Sequence, residues 1–425
     1  MKQLEEVLGG WMAQSPTEKG DKNMKKHEGK LVILLSAVLF AVFTVSISFA
    51  AGEPQGPPLK IGVLGVMSGP AASWGLVCKY CAEANAEIYN EEGGVLIGGT
   101  RHKIEVISND EKNDPKLAVT GMERLVYQEK IKYIIGPNVD TTSASVMPVI
   151  EAAGAINIPY CFNKTVFSPP HNNSILGMIA SYQSGPIIYK YMMDKYKVKS
   201  IAFVARNEAD PLNQRKEGME AANKLGLKVV SWEDTYEPGT TDFFPVMTKV
   251  IRGKPDQIVL SGSAPGDTPQ LIKAARELGY KGYLTTETAQ DIKILNEVAG
   301  KHAEGFISVG GASTPEIQSE YMAKFVERYK KVAGEWNDEA GTKVYALPMI
   351  IFTLQKAGQA ALTDVEVFKK TIPSVSVKNP FMKGDKILKY VGKAYFGQPH
   401  QIGVPMVVTQ VKNGKFETLF VGSVE

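Results

Sequence analysis

The chain has 425 residues, of which 44% are apolar and 22% charged, with 48 Lys and Arg against 45 Asp and Glu. This composition excludes a disordered chain and a collagen-like fibre, and three cysteines are too few for a disulfide scaffold. The length suits two or three domains. A net charge of +3, with both signs interspersed, provides no strongly basic surface, so we expect no nucleic-acid partner.

The N-terminal segment is an apolar run over residues 31–49, preceded by a Lys-rich stretch and ended by small residues around Ala50. This pattern predicts a cleaved signal peptide over residues 1–50, with translation starting at Met24. A membrane anchor is the alternative, since a run of this length just spans a bilayer. The Gly- and Pro-rich stretch 52–58 favours cleavage, and we therefore expect a mature protein in the periplasm.

Two of the three cysteines, Cys78 and Cys81, form a C-x-x-C pair inside a helical pattern. Helical residues three apart hold their Cβ atoms roughly 5–6 Å apart, whereas a disulfide needs about 3.5–4.5 Å. We therefore expect buried thiols, Cys161 included. The five histidines do not cluster with cysteines or carboxylates at ligand spacing, so no metal site is predicted.

The chain from Leu59 onward alternates β-branched runs with helical patterns, which indicates parallel sheets built from βαβ units. Asp114 and Pro115 provide an N-cap and a first-turn proline for a helix over 116–128. The strands predicted for this first α/β lobe are 59–67, 103–108, 131–135 and 155–158.

A second α/β lobe follows, in which helices are predicted over 213–225 and 268–278. Ser68-Gly69-Pro70 and Ser184-Gly185-Pro186 are each expected to precede a helix, a weak sign of duplication. Two such lobes place a ligand in the cleft between them, beyond the carboxyl ends of their strands. The remaining predicted elements are strands 200–204, 228–231, 257–260, 283–286 and 305–309, helices 317–332 and 342–361, and a final hairpin of 404–411 with 416–421.

Enzyme motifs are missing from the sequence. The glycines after the first strand, Gly62, Gly65 and Gly69, do not form a dinucleotide-binding fingerprint, and there is no Walker-type loop. There is also no G-x-S-x-G elbow and no H-E-x-x-H motif. We predict a binding protein with no catalytic residues, cofactor or metal. A secreted α/β enzyme is an alternative that turnover of a bound ligand would reveal.

An ordered set of short motifs extends over essentially all of the mature chain. In order and spacing these motifs resemble the leucine/isoleucine/valine-binding proteins, which are type I periplasmic solute-binding proteins of ABC importers. The motifs are residues 60–65, 67–70, 74–75, 90–94, 110 with 114–115, 133–137, 278–280, 303–305, 345–346 and 411–415.

The resemblance implies an α/β fold of two Rossmann-like lobes joined by a three-strand hinge. It implies that lobe 1 comprises 59–180 plus 311–378 and that lobe 2 comprises 181–310 plus 379–425. It further implies a non-catalytic, monomeric receptor that captures a small amino-acid-like or related polar or amphiphilic solute. Closure of the lobes would deliver that solute to an ABC permease in the inner membrane. A periplasmic sensor that feeds a membrane signalling partner is the alternative.

The resemblance also implies a set of ligand-binding residues. Trp74 matches an aromatic residue that packs on the ligand, and Glu287 matches the acid that holds the α-ammonium of an amino acid. Together they favour an amino-acid or amine ligand. Asp210 and Ala264 stand at positions where the family pattern has tyrosines.

The family's contacts with a ligand carboxylate fall on unusual residues here. The position of the hydroxyl that binds the α-carboxylate corresponds to Asp140, unless the loop is shifted by one residue and presents Thr141. The next two contacts fall on Cys161, through its backbone, and on Asn163 in place of a threonine. Of these differences from the family pattern, Asp140 matters most for the choice of ligand, because it would place a protein carboxylate beside the ligand carboxylate.

An ionised Asp140 facing the cleft would reject a ligand carboxylate. Two like charges 4 Å apart at an effective dielectric of 20 repel by about 4 kcal/mol, nearly three decades in dissociation constant. Three hypotheses follow: Asp140 points away and Thr141 grips the carboxylate, Asp140 is protonated by burial, or the ligand lacks a carboxylate there. Asp140 and Asp210 could instead simply cap helices, since both precede helical patterns.

Overall fold

The computed structural model describes residues 55–69 and 71–423, so the predicted signal peptide lies outside the described residues. Within the described ranges, none of the helices combines the length and the apolar character needed to cross a bilayer.

Strands and helices alternate along most of this region. The strands are β1 (Leu59–Gly65), β2 (Val95–Ile97), β3 (Thr100–His102), β4 (Ile104–Asp110), β5 (Tyr133–Ile135), β6 (Ile156–Ile158), β7 (Ser200–Arg206), β8 (Lys228–Ser231), β9 (Thr235–Tyr236), β10 (Gln257–Ser261), β11 (Tyr283–Ala289), β12 (Ile307–Gly310), β13 (Ser376–Lys378), β14 (Ile387–Val391), β15 (Gln401–Ile402), β16 (Met406–Lys412) and β17 (Lys415–Gly422). The α-helices are α1 (Ala72–Glu91), α2 (Pro115–Glu123), α3 (Asp140–Ala153), α4 (Ser181–Tyr196), α5 (Ala209–Lys224), α6 (Phe244–Arg252), α7 (Thr268–Glu277), α8 (Ile292–Val298), α9 (Glu320–Ala333), α10 (Ala340–Lys343), α11 (Ala346–Ala357), α12 (Val365–Thr371) and α13 (Lys393–Phe396).

Two largely parallel sheets form the two lobes. The four-stranded sheet of lobe 1 has the order β4-β1-β5-β6, with Leu59 paired to Ile104 and Ile61 paired to Tyr133. The eight-stranded sheet of lobe 2 has the order β17-β16-β12-β11-β10-β7-β8, with β9 beside β7, and its β16–β17 hairpin adds two antiparallel strands. The two-lobed α/β fold expected from the sequence is confirmed.

Both sheets are covered by helices on their two faces. In β1, Ile61 and Val63 pack into one apolar cluster while Leu64 packs into another on the opposite face. In β10, Val259 and Leu260 divide between two clusters in the same way. Successive residues of a strand point to opposite faces, so a parallel strand buried on both sides is apolar at consecutive positions. This explains why the β-branched runs predicted these strands.

The chain passes between the two sheets three times, at residues 159–180, 311–319 and 403–405. The small antiparallel sheet β13-β14-β15 precedes the last crossing. In that sheet, the Tyr390 hydroxyl lies 2.9 Å from the Thr353 hydroxyl on α11, a helix that packs on α1 in lobe 1. The predicted division at 378/379 separates β13 from its partner β14, and the exact lobe boundaries stay a prediction.

Some local predictions were correct and others were wrong. Asp114 caps α2, accepting from the N–H groups of Lys116 and Leu117. Ser184-Gly185-Pro186 does not precede a helix: it lies inside α4, which begins three residues earlier at Ser181. The helix predicted over 342–361 is instead α10, α11 and a short 3₁₀ segment, interrupted at residues 344–345 and 358.

The three cysteines are free and buried, as predicted. Cys78 and Cys81 lie in α1 on its buried side, and Cys161 packs in a separate apolar cluster. Burial raises the pKa of the Cys78 thiol to about 11. Since the thiolate is the reactive form, we expect these buried thiols to be unreactive residues of the core.

Candidate ligand-binding site

A cavity of about 280 Å³ lies between the two lobes, at the carboxyl ends of their strands. Its wall includes residues that follow β5 and β10, and residues that end β7 and β11. This is the place where open parallel sheets bind ligands. The volume lies near the lower end of the usual range for small-molecule sites and therefore suits a small solute.

Trp74 provides an aromatic wall on the lobe 1 side. It stands in the first turn of α1, next to Gly75, whose N–H donates to the Val66 carbonyl at 3.0 Å. A Cβ atom on Gly75 would lie 2.2 Å from that carbonyl oxygen, so only glycine permits this approach of the helix to the end of β1. The contact fixes Trp74 at the rim of the cleft.

Glu287, on β11 of lobe 2, is the most deeply buried carboxylate of the cavity wall, with 2% of its surface exposed. The Tyr189 hydroxyl donates to its Oε1 atom, while Oε2 has no hydrogen-bond partner among the described residues. Burial raises the pKa of Glu287 to about 7. A buried carboxylate oxygen without a donor is costly, so a donor from a ligand would be strongly favoured there.

Arg206 lines the cavity at the end of β7. Its guanidinium binds the Glu208 carboxylate and lies 3.5 Å from that of Asp267. The same group lies 5.9 Å from the ring centroid of Trp74, at the outer limit of a cation–π contact. Arg206 therefore links the aromatic wall of lobe 1 to two acids of lobe 2.

A buried ion pair forms another part of the wall. Lys343 Nζ lies 2.8 Å from Glu339 Oε2, and both side chains are less than a tenth exposed. The second Glu339 oxygen, Oε1, has no hydrogen-bond partner in the described part of the chain. The lysine charge is thus already matched by a carboxylate of the same helical segment.

The charged residues on the cavity wall give it a negative balance. Two cations face four acids, a formal charge of −2 when every group is ionised. These residues are Arg206, Lys343, Glu208, Asp210, Glu287 and Glu339. With these groups ionised, the cavity favours a cationic solute over an anionic one.

Asp140 is the first residue of α3, and it does not belong to the residues that line the cavity. Its Oδ1 accepts from the N–H groups of Phe162, at 2.6 Å, and Asn163, at 3.0 Å. The adjacent Thr141 is exposed and lines the cavity. Thr141 thus lies on the wall and Asp140 off it, and a role of Thr141 in binding a ligand carboxylate stays a prediction.

Asp210 lines the cavity from α5 in lobe 2 and reaches across the cleft. Its two oxygens accept from the N–H of Asp140, at 3.2 and 3.1 Å. Burial, together with the neighbouring Asp140 carboxylate, raises the pKa of Asp210 to about 8. Asp210 therefore caps a helix of the opposite lobe, an arrangement that its own helical position did not predict.

Three other predicted contacts lie off the cavity wall. Cys161 is buried in an apolar cluster, and the Asn163 side chain accepts from the Thr165 N–H at 3.0 Å as a helix cap. Ala264 is buried, and its carbonyl accepts from the start of α7. Their predicted roles in ligand binding have no support from this geometry.

Arg206, Glu208, Glu339 and Lys343 also line the cavity, and the sequence motifs did not indicate them. The first two could have been found, because polar residues at the carboxyl end of a predicted parallel strand are site candidates. Glu339 and Lys343 precede a long apolar helix, and no local pattern separates them from surface charges.

Comparison with known proteins places this geometry in context. A family model described as periplasmic binding protein matches residues 58–415. The Leu/Ile/Val-binding protein of Escherichia coli (strain K12) is 27% identical over 255 residues, covering 59% of this chain and 66% of that protein, so slightly less than two thirds of that relative is matched. Leu/Ile/Val-binding protein homolog 4 of Brucella melitensis biotype 1 is 27% identical over 402 residues, covering 87% of this chain and 88% of that protein.

A solved structure shares the fold. The branched-chain amino acid transporter substrate binding protein of Streptococcus pneumoniae, in complex with isoleucine, superposes with a TM-score of 0.70 at 20% identity. The superposition covers 86% of this chain and 99% of that one. These matches confirm the family to which the sequence motifs pointed.

Proposed function

Because the chain belongs to the periplasmic binding protein family, whose members bind solutes and are not enzymes, we propose that it captures a small solute bearing a positively charged amine. The solute is held in the cleft between the lobes and is delivered to the permease of an ABC importer. The protein reaches the periplasm through its cleaved N-terminal signal. The observation that carries this proposal is the buried Glu287 with one oxygen lacking a donor.

An ammonium group is the solute feature that Glu287 suits best. It would donate to Oε2, complete the hydrogen bonding begun by Tyr189, and favour the ionised carboxylate. The excess of acids on the cavity wall favours the same charge. Trp74 then offers an apolar surface to the rest of the solute.

Closure of the lobes is the proposed means of delivery. Contacts across the cleft support it: Lys164 lies 2.8 Å from Glu217, and the Asp338 N–H donates to Asp291 at 3.0 Å. A solute that touches both lobes stabilises this closed arrangement over an open one, and a permease can recognise the closed shape.

Isothermal titration calorimetry with amino acids, aliphatic amines and aromatic acids tests the proposal. An amine-bearing solute should bind, and Glu287→Gln should weaken it by about 10- to 150-fold, the loss of one charged hydrogen bond. Glu111→Gln is the matched control, because Glu111 is also a buried carboxylate with one oxygen unpartnered in the described region, and it lies outside the cavity lining. Equal affinity of Glu287→Gln and the unmodified protein would refute the proposal.

A further inference from the structure

We infer that the solute carries no carboxylate, because two carboxylates of the protein itself occupy the backbone donors that would hold one. This inference rests on the proposed function and narrows its solute class to small amines without an acid group. It depends on where three backbone N–H groups point, those of Asp140, Phe162 and Asn163.

The first donor is the N–H of Asp140, at the start of α3, a helix of 14 residues. The first N–H groups of a helix have no partner within the helix, and they attract anions. Here the Asp210 carboxylate takes this position from the opposite lobe, with both oxygens within 3.2 Å of the nitrogen. A ligand carboxylate would have to displace it.

The other two donors are the N–H groups of Phe162 and Asn163. Both point to Oδ1 of Asp140, at 2.6 and 3.0 Å. Asp140 is 5% exposed, and its Oδ2 has no hydrogen-bond partner within the described ranges. The loop after β6 is therefore already closed around a protein carboxylate, and it offers none of these donors to the cavity.

The cations of the cavity wall are matched as well. Arg206 is bound to Glu208 and faces Asp267, and Lys343 is bound to Glu339. On the lobe 1 rim near Asp140, the hydroxyl of Thr141 is a neutral donor, which cannot by itself balance a charge.

Above pH 8, where Asp210 is ionised, a ligand carboxylate beside it would also meet a like charge. At a separation of 4 Å and an effective dielectric of 20, this repulsion corresponds to roughly a 1000-fold loss of affinity. An amine that lacks the acid group avoids the loss and keeps its bond to Glu287. The solute class is therefore a small amine with an apolar or hydroxylated body.

Calorimetry with matched pairs tests this inference. Each pair is an amino acid and its decarboxylated amine: leucine with isoamylamine, phenylalanine with 2-phenylethylamine, and lysine with cadaverine. Leucinamide is added because it keeps the size of leucine without its negative charge. In at least one pair the amine should bind at least tenfold more tightly than the amino acid, and leucinamide should bind more tightly than leucine.

Two substitutions at one position separate charge from occupancy. At pH 9, above the pKa of about 8 to which burial and Asp140 raise Asp210, Asp210→Asn removes a charge but keeps an oxygen near the Asp140 N–H, whereas Asp210→Ser removes the charge and leaves that donor to the ligand. The preference for the amine over the amino acid should fall in Asp210→Asn and fall further in Asp210→Ser. A thermal melt checks that both variants fold, and if either does not, the matched pairs on the unmodified protein decide alone.

The outcomes distinguish this inference from the proposed function. If an amino acid binds more tightly than its amine, and Glu287→Gln weakens it, the inference is wrong and the proposed function stands. If no member of the panel binds, or if binding is indifferent to Glu287→Gln, both are wrong.

Discussion

In the Asp210→Asn variant, amine binding should tighten as the pH rises from 5 to 8, because only the ionised form of Glu287 holds an ammonium. Burial raises the pKa of Glu287 in the unliganded protein to about 7. At that pKa about 1% of the carboxylate is ionised at pH 5 and about 90% at pH 8, which makes the association constant about 90-fold larger at pH 8. A ligand ammonium, with a pKa near 10, stays charged throughout this range.

The other charged groups facing the cavity set the limits of this measurement. Burial and Asp140 raise the pKa of Asp210 to about 8, so its protonation favours the closed protein at low pH, and that contribution is lost progressively as the pH rises from the ordinary aspartate pKa to 8. Its effect therefore opposes that of Glu287. Glu208 and Glu339 are already paired with cations. Because the effects of Glu287 and Asp210 overlap between pH 5 and 8, the rising limb is measured in Asp210→Asn, which lacks this opposing titration, and the rise should be smaller in the unmodified protein.

Calorimetry at each pH, in two buffers of different ionisation enthalpy, gives both the affinity and the protons released on binding. Glu287→Gln should flatten the rising limb. Glu111→Gln should retain the rising limb, because the Glu111 side chain accepts a hydrogen bond from Thr142 and lies off the cavity wall. It is a close control, since burial raises the pKa of Glu111 to about 7 as well. A flat profile in Asp210→Asn, or a rising limb that survives when Glu287→Gln is added to it, would contradict the assignment.

Two further predictions concern the aromatic wall. Trp74→Ala should weaken the binding of solutes in proportion to their apolar surface, by about tenfold for a branched alkyl amine and by much less for methylamine. Calorimetry along an alkylamine series measures this loss of affinity. Equal losses for all of the amines would place the apolar part of the solute elsewhere. Gly75→Ala should lower the free energy of unfolding by about 1–3 kcal/mol, since the added Cβ atom would lie 2.2 Å from the Val66 carbonyl oxygen. Urea unfolding measures this change. Unchanged stability would show that α1 can move away from β1 without cost.

The central strands and their order of alternation with helices could be predicted from sequence, because a parallel strand buried on both faces must be apolar at consecutive positions. The hairpin β2–β3 and the sheet β13-β14-β15 were missed. Most of these strands have only two or three residues, too few to show a period of two above chance. Ser184-Gly185-Pro186 was misplaced because the cap of α4 lies at Ala180, where the Gln183 side chain accepts from the backbone N–H.

The site was predictable in part. Trp74, Thr141, Asp210 and Glu287 lie on the cavity wall, and their roles stay predictions. The sequence presented Asp140 and Asp210 as two separate acids near helix starts. Their connection could not be predicted, because it joins residues 70 positions apart that belong to opposite lobes. Whether a carboxylate lines a cleft or caps the helix across it depends on the closed geometry rather than on local sequence.

That connection also bears on how closure is controlled. The bond from the Asp140 N–H to Asp210 forms between the lobes without help from a solute carboxylate. Closing the lobes places Asp210 and Glu287 on the wall of one poorly solvated cavity, where like charges repel more strongly than in water once both groups are ionised. A neutral solute fills this space but leaves the repulsion in place, whereas an ammonium both fills it and offsets the negative charge. Closure is therefore coupled to the charge of the solute as well as to its size.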